Sequence, residues 1–288
     1  MQYLLKKGSL TARCDSHGGE LVSLVDASGR EYIWQGDANY WGGRNPNLFP
    51  AINATKDGVV RFDGVPYPLQ RHGFARHAEF SLAKQSEDTV IFELRESEET
   101  LKQYPFPFIF RIHHKLTECG FSTSYEVINP GEKTLPYTVG GHTAFNVEGD
   151  FSQWRILFEK TEDAWARIPL KSGLVSDENR EYVLQNTNIL PLDHADYDRV
   201  DTFMFDGLNS KWVKLLGPDG KGVQMDFADF PMIAFWTAVG KNAPYICMEP
   251  WHGCGAFENE TGEFADKHHA ILLPAGESKM LTYTVSIL

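Results

Sequence analysis

Phe121-Ser122-Thr123-Ser124-Tyr125-Glu126-Val127-Ile128 is the stretch that decides the fold. Phe121, Thr123, Tyr125 and Val127 alternate with Ser122, Ser124, Glu126 and Ile128, and a side-chain period of two belongs to a strand half-buried in a sheet. The same rhythm returns where Val90, Phe92 and Leu94 alternate with Ile91, Glu93 and Arg95. It returns again at the carboxy terminus, where Leu281, Tyr283, Val285 and Ile287 alternate with Thr282, Thr284 and Ser286. Between such segments fall turn signals: Asp63-Gly64, Asn129-Pro130-Gly131, Pro218-Asp219-Gly220 and Pro274-Ala275-Gly276. They recur too often for long helices, so the expected class is all-β. So many strands overfill one open twisted sheet, which predicts a large antiparallel β-sandwich.

The chain has 288 residues, a length that serves two ordinary domains or one large all-β domain. No Ser/Gly-rich tract, charge block or internal repeat divides it, so a single domain over residues 1–288 is expected. With 42% hydrophobic and 13% aromatic residues it can bury a large core, which excludes disordered and collagen-like classes. The 27 Lys and Arg against 39 Asp and Glu leave a net charge of −12, which argues against nucleic acid or an anionic membrane as partner. A small molecule is the expected partner. The amino terminus lacks the apolar run of a secretory signal, and no stretch reaches about 18 apolar residues, so a cytoplasmic location is expected. The six residues between Cys247 and Cys254 do not make a zinc spacing, and Cys14 and Cys119 lie far away. All four are expected to be reduced thiols. The sequence carries no sign of oligomeric state.

Four segments interrupt the strand rhythm with polar residues: Trp41-Gly42-Gly43-Arg44-Asn45-Pro46-Asn47-Leu48-Phe49-Pro50, Gln70-Arg71-His72-Gly73-Phe74-Ala75-Arg76-His77, Val139-Gly140-Gly141-His142-Thr143-Ala144-Phe145-Asn146 and Tyr245-Ile246-Cys247-Met248-Glu249-Pro250-Trp251-His252-Gly253. Taken singly, each has a structural reading. A lone histidine is commonly a hydrogen-bonded core residue, a glutamate at a strand end is commonly solvated, and paired glycines commonly make bulges. His113, His114, His268 and His269 carry no such motif and are assigned no role. Phosphate loops, dinucleotide fingerprints, His-Glu-x-x-His pairs and Gly-x-Ser-x-Gly elbows are absent.

In combination these segments resemble a known family. Arg44-Asn45-Pro46 with Leu48-Phe49-Pro50, then His72-Gly73-Phe74-Ala75-Arg76, Gly140-Gly141-His142-x-Ala144-Phe145-Asn146 and Glu249-Pro250-Trp251, occur in the order found in the aldose 1-epimerase (galactose mutarotase) superfamily, nearest its LacX-like branch. The resemblance runs from about Ala38 to the last strand. It implies the galactose mutarotase-like supersandwich, and, residue by residue, His142 as general acid and Glu249 as general base. It further implies substrate binding by His72, Arg44, Arg76 and Asp201, with Asp198 and Asp206 as neighbouring alternatives to the last. The chain departs from the LacX-like pattern at Thr143, where proline usually follows the histidine.

The implied activity interconverts the α and β anomers of a hexose or hexose phosphate by opening and reclosing the ring. It needs one base for the anomeric hydroxyl and one acid for the ring oxygen, so neither a metal nor an organic cofactor is expected. An imidazole beside a carboxylate is expected to be raised into a proton donor. Trp41 and Trp251 offer an apolar face for a sugar ring or else pack in the core. Arg44, Arg71 and Arg76 suit a phosphate, although in an extended segment Arg71 and His72 face opposite ways. Two alternatives stand beside this reading: a carbohydrate-binding sandwich without turnover, and a glycoside hydrolase or lyase using Asp201 and Glu249 as paired carboxylates.

Overall fold

In the computed structural model, which describes all 288 residues, the Gly120–Ile128 strand buries Phe121, Thr123, Tyr125 and Val127 and leaves Ser122, Ser124, Glu126 and Ile128 partly exposed. It pairs antiparallel with Ile109–Leu116 on one side and Ser278–Ile287 on the other. Leu281, Tyr283 and Val285 are buried in the latter, as the alternation requires. Pro218-Asp219-Gly220 lies between the paired strands Trp212–Leu216 and Gly222–Asp226, and Asp63-Gly64 turns Val59–Phe62 into Val65–Pro68. At that second turn both residues have positive φ, 52° and 77°, which Asp and Gly tolerate at low cost. The α-helices are two short ones, Glu98–Leu101 and His194–Val200. No helix is long and apolar enough to cross a membrane.

The principal sheet holds 15 strands. It begins Asn47–Leu48, Val139–Gly141, Tyr245–His252, Met232–Trp236, and continues through Thr202–Asp206, Arg155–Arg167 and Trp212–Leu216. From Gly222–Asp226 it passes to Ser278–Ile287, Gly120–Ile128, Ile109–Leu116, Thr89–Arg95 and Ser81–Gln85. Thr143–Asn146 and Arg180–Pro191 attach as side members, and every named pair is antiparallel. Residues far apart along this path meet face to face. The Tyr125 hydroxyl donates to Asn47 Oδ1 at 2.8 Å, Thr143 Oγ1 lies 3.2 Å from the Tyr283 hydroxyl, and the rings of Phe49 and Phe110 stack at 4.4 Å. The sheet therefore folds back over itself as a sandwich, with these aromatic residues filling the space between its layers.

A separate three-stranded sheet, Gln2–Lys7, Leu10–Asp15 and Glu20–Val25, packs where His114 Nε2 meets Gly19 O at 2.8 Å. His114 also lies 3.0 Å from Thr123 Oγ1, which makes it a core histidine. His113 pairs with Glu126. Phe110→Ala removes a fully buried ring and is expected to lower stability by about 3–5 kcal/mol. Val65→Ala, at an exposed position, should stay within about 0.5 kcal/mol. The midpoints of urea unfolding of the two variants check the contrast.

Candidate active site

Tyr245–His252 is buried along seven of its eight residues, and Glu249, at 1% exposure, is among them. The sequence reading places Glu249 at a strand end. The strand instead runs on through Pro250, Trp251 and His252, because Met232–Trp236 pairs with it on one side as far as Trp251, and Val139–Gly141 on the other as far as His252. The carboxylate thus lies inside a strand, where water does not reach it. The paired glycines bring the partner strand in. A Cβ on Gly140 would fall 2.7 Å from Pro250 O, and one on Gly141 would fall 3.1 Å from the Tyr283 ring. His142 follows directly, and its Nε2 lies 3.3 Å from Glu249 Oε2.

Around this pair is a cavity of about 210 Å³ lined by Trp41, Asn53, Arg71, His72, Arg76, Asp201, Thr202, Trp236 and Trp251. A larger depression of about 470 Å³ lies elsewhere, among Arg61, Phe106 and Leu272. It has no histidine, and its carboxylates are engaged: Glu263 accepts the Gly64 N–H and Asp63 faces Lys133. Another, of about 580 Å³, holds His194 with Asp150, Asp193 and Asp198, but these carboxylates accept the N–H groups of Ser152, Ala195 and Gly240 and the imidazole stacks on Phe151, so chemistry selects the smaller space.

His72 enters the cavity from a turn. Its φ is 66° and that of Gly73 is 67°, and a Cβ on Gly73 would meet Phe49 O at 2.3 Å. The segment is not extended, so the opposite-facing expectation for Arg71 fails and both Arg71 and His72 line the cavity. The Asn53 N–H donates to His72 Nδ1 at 3.1 Å, which places the proton of the neutral ring on Nε2. Asp201 follows the helix His194–Val200 at φ 68° and ψ −67°, a sparsely populated conformation of the kind that gathers at functional sites. Its Oδ1 accepts the Thr202 hydroxyl at 2.7 Å. The two neighbouring aspartates lie outside the cavity. Asp198 accepts the Gly240 N–H, and Asp206 is held by His268, His269 and Arg167.

Arg44 is not brought into the cavity. It lines an adjoining depression that shares Trp41 and Arg76 with it. The reason is the inward turn of its neighbours. Asn45 Nδ2 donates to Leu21 O, Asn47 Nδ2 donates to Gly18 O and Gly19 O, and the Thr143 hydroxyl donates to Asn45 Oδ1 at 2.8 Å. Thr143, the departure from the expected proline, thus pins the loop that carries Arg44. Trp41 and Trp251 both face the acid/base cavity, with the Trp41 ring 5.1 Å from that of His142.

Burial governs the electrostatics. It pushes the Glu249 carboxyl well above its ordinary value, with Arg71 opposing and Asp201 adding to the rise. It pushes His142 down to about 3, helped by Arg76 and Arg71, and His72 well below its usual value. The expectation that Glu249 raises His142 is overturned, because the desolvation of both groups outweighs their attraction. His142 Nδ1, Glu249 Oε2, Asn53 Oδ1 and Trp251 Nε1 are buried without hydrogen-bond partners. Four unmatched polar atoms around one cavity mark a place for a polar ligand. Cys247 has its sulfur near His142 and Glu249, and burial, with Glu249 beside it, pushes its thiol well above the ordinary value. All four cysteines are free thiols. Of the remaining lining residues, Asn53 and Trp236 carry no motif that marks them, and Thr202 is marked only by its neighbour Asp201.

The aldose 1-epimerase family model matches residues 1–285. The plasmid-encoded protein LacX of Lactococcus lactis subsp. lactis is 33% identical, over 99% of this chain and 98% of its own. A galactose mutarotase related enzyme from Lactobacillus acidophilus superimposes with a TM-score of 0.94 at 26% identity, covering 100% of this chain and 97% of its own. A galactose mutarotase-like protein from Lactobacillus casei does so with 0.94 at 28% identity, covering 100% of both. With the model and the LacX relative both aligned nearly end to end and the fold shared throughout, this chain belongs to the aldose 1-epimerase family.

Proposed function

We propose that the protein is an isomerase that interconverts the α and β anomers of an aldohexose, with His142 and Glu249 as its acid and base. The observation that carries this reading is the buried contact of His142 Nε2 with Glu249 Oε2 at 3.3 Å in a cavity lined by polar side chains and indoles. Glu249 takes the anomeric O1 proton while the C1–O5 bond breaks, C1–O1 becomes a carbonyl, and His142 delivers a proton to O5. Rotation about C1–C2 presents the other face of the aldehyde, and O5 attacks it as both protons return.

The pair therefore alternates between a charged form with the ring closed and a neutral form with the ring open. Burial favours the neutral form, in which the free protein rests, so the reaction begins when the proton passes from Glu249 to His142 across their 3.3 Å contact, a charge separation that Arg71 near Glu249 supports, and the cavity is matched to the ring-opened state. His72, with its proton on Nε2, serves as a donor to sugar hydroxyls, and Arg76 and Asp201 bind the rest of the ring. Residues 1–288 act as one domain in this reading, supported by the single hydrogen-bonded sheet that carries both Val139–Gly141 and Tyr245–His252.

Positioned proton transfer contributes about 10²–10⁴ in rate. His142→Asn and Glu249→Gln are each expected to lose that factor in anomeric exchange of glucose, galactose or glucose 6-phosphate, measured by saturation-transfer NMR. A folded wild-type protein that accelerates no aldose refutes the reading, and release of reducing ends from a glycoside would favour the paired-carboxylate hydrolase.

Stability should move the other way for Glu249→Gln. The unfolded chain ionises this carboxyl around 4.5 while the folded state keeps its proton to higher pH, so wild-type stability falls as pH rises between those two values. The variant escapes that loss. Thermal melts are expected to show its stability relative to wild type rising from pH 4.5 toward pH 7–8, by up to about 1.4 kcal/mol per pH unit while the folded carboxyl keeps its proton.

A further inference from the structure

The catalytic reading leaves His268 and His269 unused, yet both converge on one carboxylate. His268 Nε2 lies 2.6 Å from Asp206 Oδ2, His269 Nε2 lies 2.9 Å from Asp206 Oδ1, and the two ring centroids are 4.0 Å apart. In extended chain, consecutive side chains point to opposite faces. Here they meet because the Ala270 N–H donates to Lys267 O at 2.9 Å, closing a turn whose second central residue, His269, has a φ of 56°. Glycine or asparagine commonly takes such a position. The turn is held in place from outside, since His252 Nδ1 donates to His269 O at 2.9 Å.

The surrounding charge is negative. Arg167 faces Asp206 at 3.2 Å and Asp177 at 3.3 Å, so two carboxylates share one guanidinium, and Lys267 is neutralised by Glu260 at 2.9 Å. Asp206, His268 and His269 are all partly exposed, which leaves the cluster open to solvent. Their ligand atoms lie within 4.8 Å of one another. A tetrahedral ion with bonds of about 2.0–2.1 Å asks for ligand atoms roughly 3.3–3.4 Å apart, so the two contacts need to open by less than about 1 Å. Each neutral imidazole then carries its proton on Nδ1 and offers the Nε2 lone pair.

We propose that Asp206, His268 and His269 form a binding site for a divalent transition metal of the zinc class, outside the catalytic cavity, with water completing the coordination. Two nitrogen ligands and one oxygen favour such an ion over Mg²⁺ or Ca²⁺, which take oxygen shells. The ion ties the turn after Phe264–Asp266 to the strand Thr202–Asp206 and takes no part in ring opening.

The test titrates ZnCl₂ into the full chain, stripped of metal with a chelator, in a calorimeter, with MgCl₂ as the contrast. One zinc per chain with a Kd of about 10 µM or tighter is expected, and no Mg²⁺ binding. His269→Asn keeps the turn, because asparagine tolerates positive φ, and His268→Gln removes the other imidazole; each should weaken zinc by about tenfold or more. Zinc at a hundredfold excess over the wild-type Kd should raise the wild-type Tm by roughly 4 °C, and that of either variant by about half as much or less. No saturable zinc binding up to about 1 mM overturns the site, as does equal binding of Mg²⁺. Zinc binding that both histidine variants keep also overturns it; if Glu249→Gln abolishes that binding, the ion sits on His142, Cys247 and Glu249, whose ligand atoms likewise lie within 4.8 Å of one another.

Discussion

The close approach of Val139–Gly141 to Tyr245–His252 is the constraint on which the arrangement of the cavity depends. Any side chain at Gly140 would collide with Pro250 O, and any at Gly141 would press on Tyr283 and the Tyr125 hydroxyl. With both absent, the strand settles between the Tyr245–His252 strand and the opposite layer, and His142 emerges beside Glu249. Asn47 and Thr143 then tie the neighbouring segments to Tyr125 and Tyr283 across the sandwich. The indoles, arginines and turn residues arrange themselves around a pair that the backbone has already set.

That pair lives under two opposed influences. Attraction between imidazolium and carboxylate would charge both, and removal from water would neutralise both. In the free protein burial prevails. The unmatched atoms on His142, Glu249, Asn53 and Trp251 are the cost of holding a polar site ready before anything fills it. Proteins commonly retain such strain where chemistry requires it and offset it with well-packed surroundings, here the aromatic layer that includes Phe49, Phe110, Tyr125 and Tyr283.

Much of the fold was legible in the sequence because strand burial is a local, period-two property. The alternation around Phe121 and around Tyr283 predicts which side chains enter the core, and the structure buries them apart from Ile287, which stays half-buried at the end of its strand. The motif order likewise marked His72, Arg76, His142, Asp201 and Glu249, all of which line one cavity. Other features escaped for physical reasons. Arg71 joins His72 in the cavity because of a left-handed backbone at His72 and Gly73, and an alternation rule written for extended chain cannot anticipate it. The depressed His142 depends on how much water the assembled walls exclude, a tertiary quantity without a linear signature. Arg44 stands outside the cavity because Asn45 and Asn47 spend their amides inward, and nothing in the loop's composition says which of its polar residues will turn in.

The back-folded sheet also bears on how the protein comes to be folded. Gly120–Ile128 pairs with its sequence neighbour Ile109–Leu116, a contact that needs only a short loop to close. Val139–Gly141 and Tyr245–His252 are separated by a long stretch of chain, and such non-local pairings form slowly because loop-closure entropy precedes any reward. His142 and Glu249 sit on either side of that non-local junction. A nascent or partly folded chain therefore keeps Glu249 hydrated and carries no acid/base pair. Both the unfavourable burial of the carboxyl and its chemical competence arrive together, with the closing of this non-local pairing.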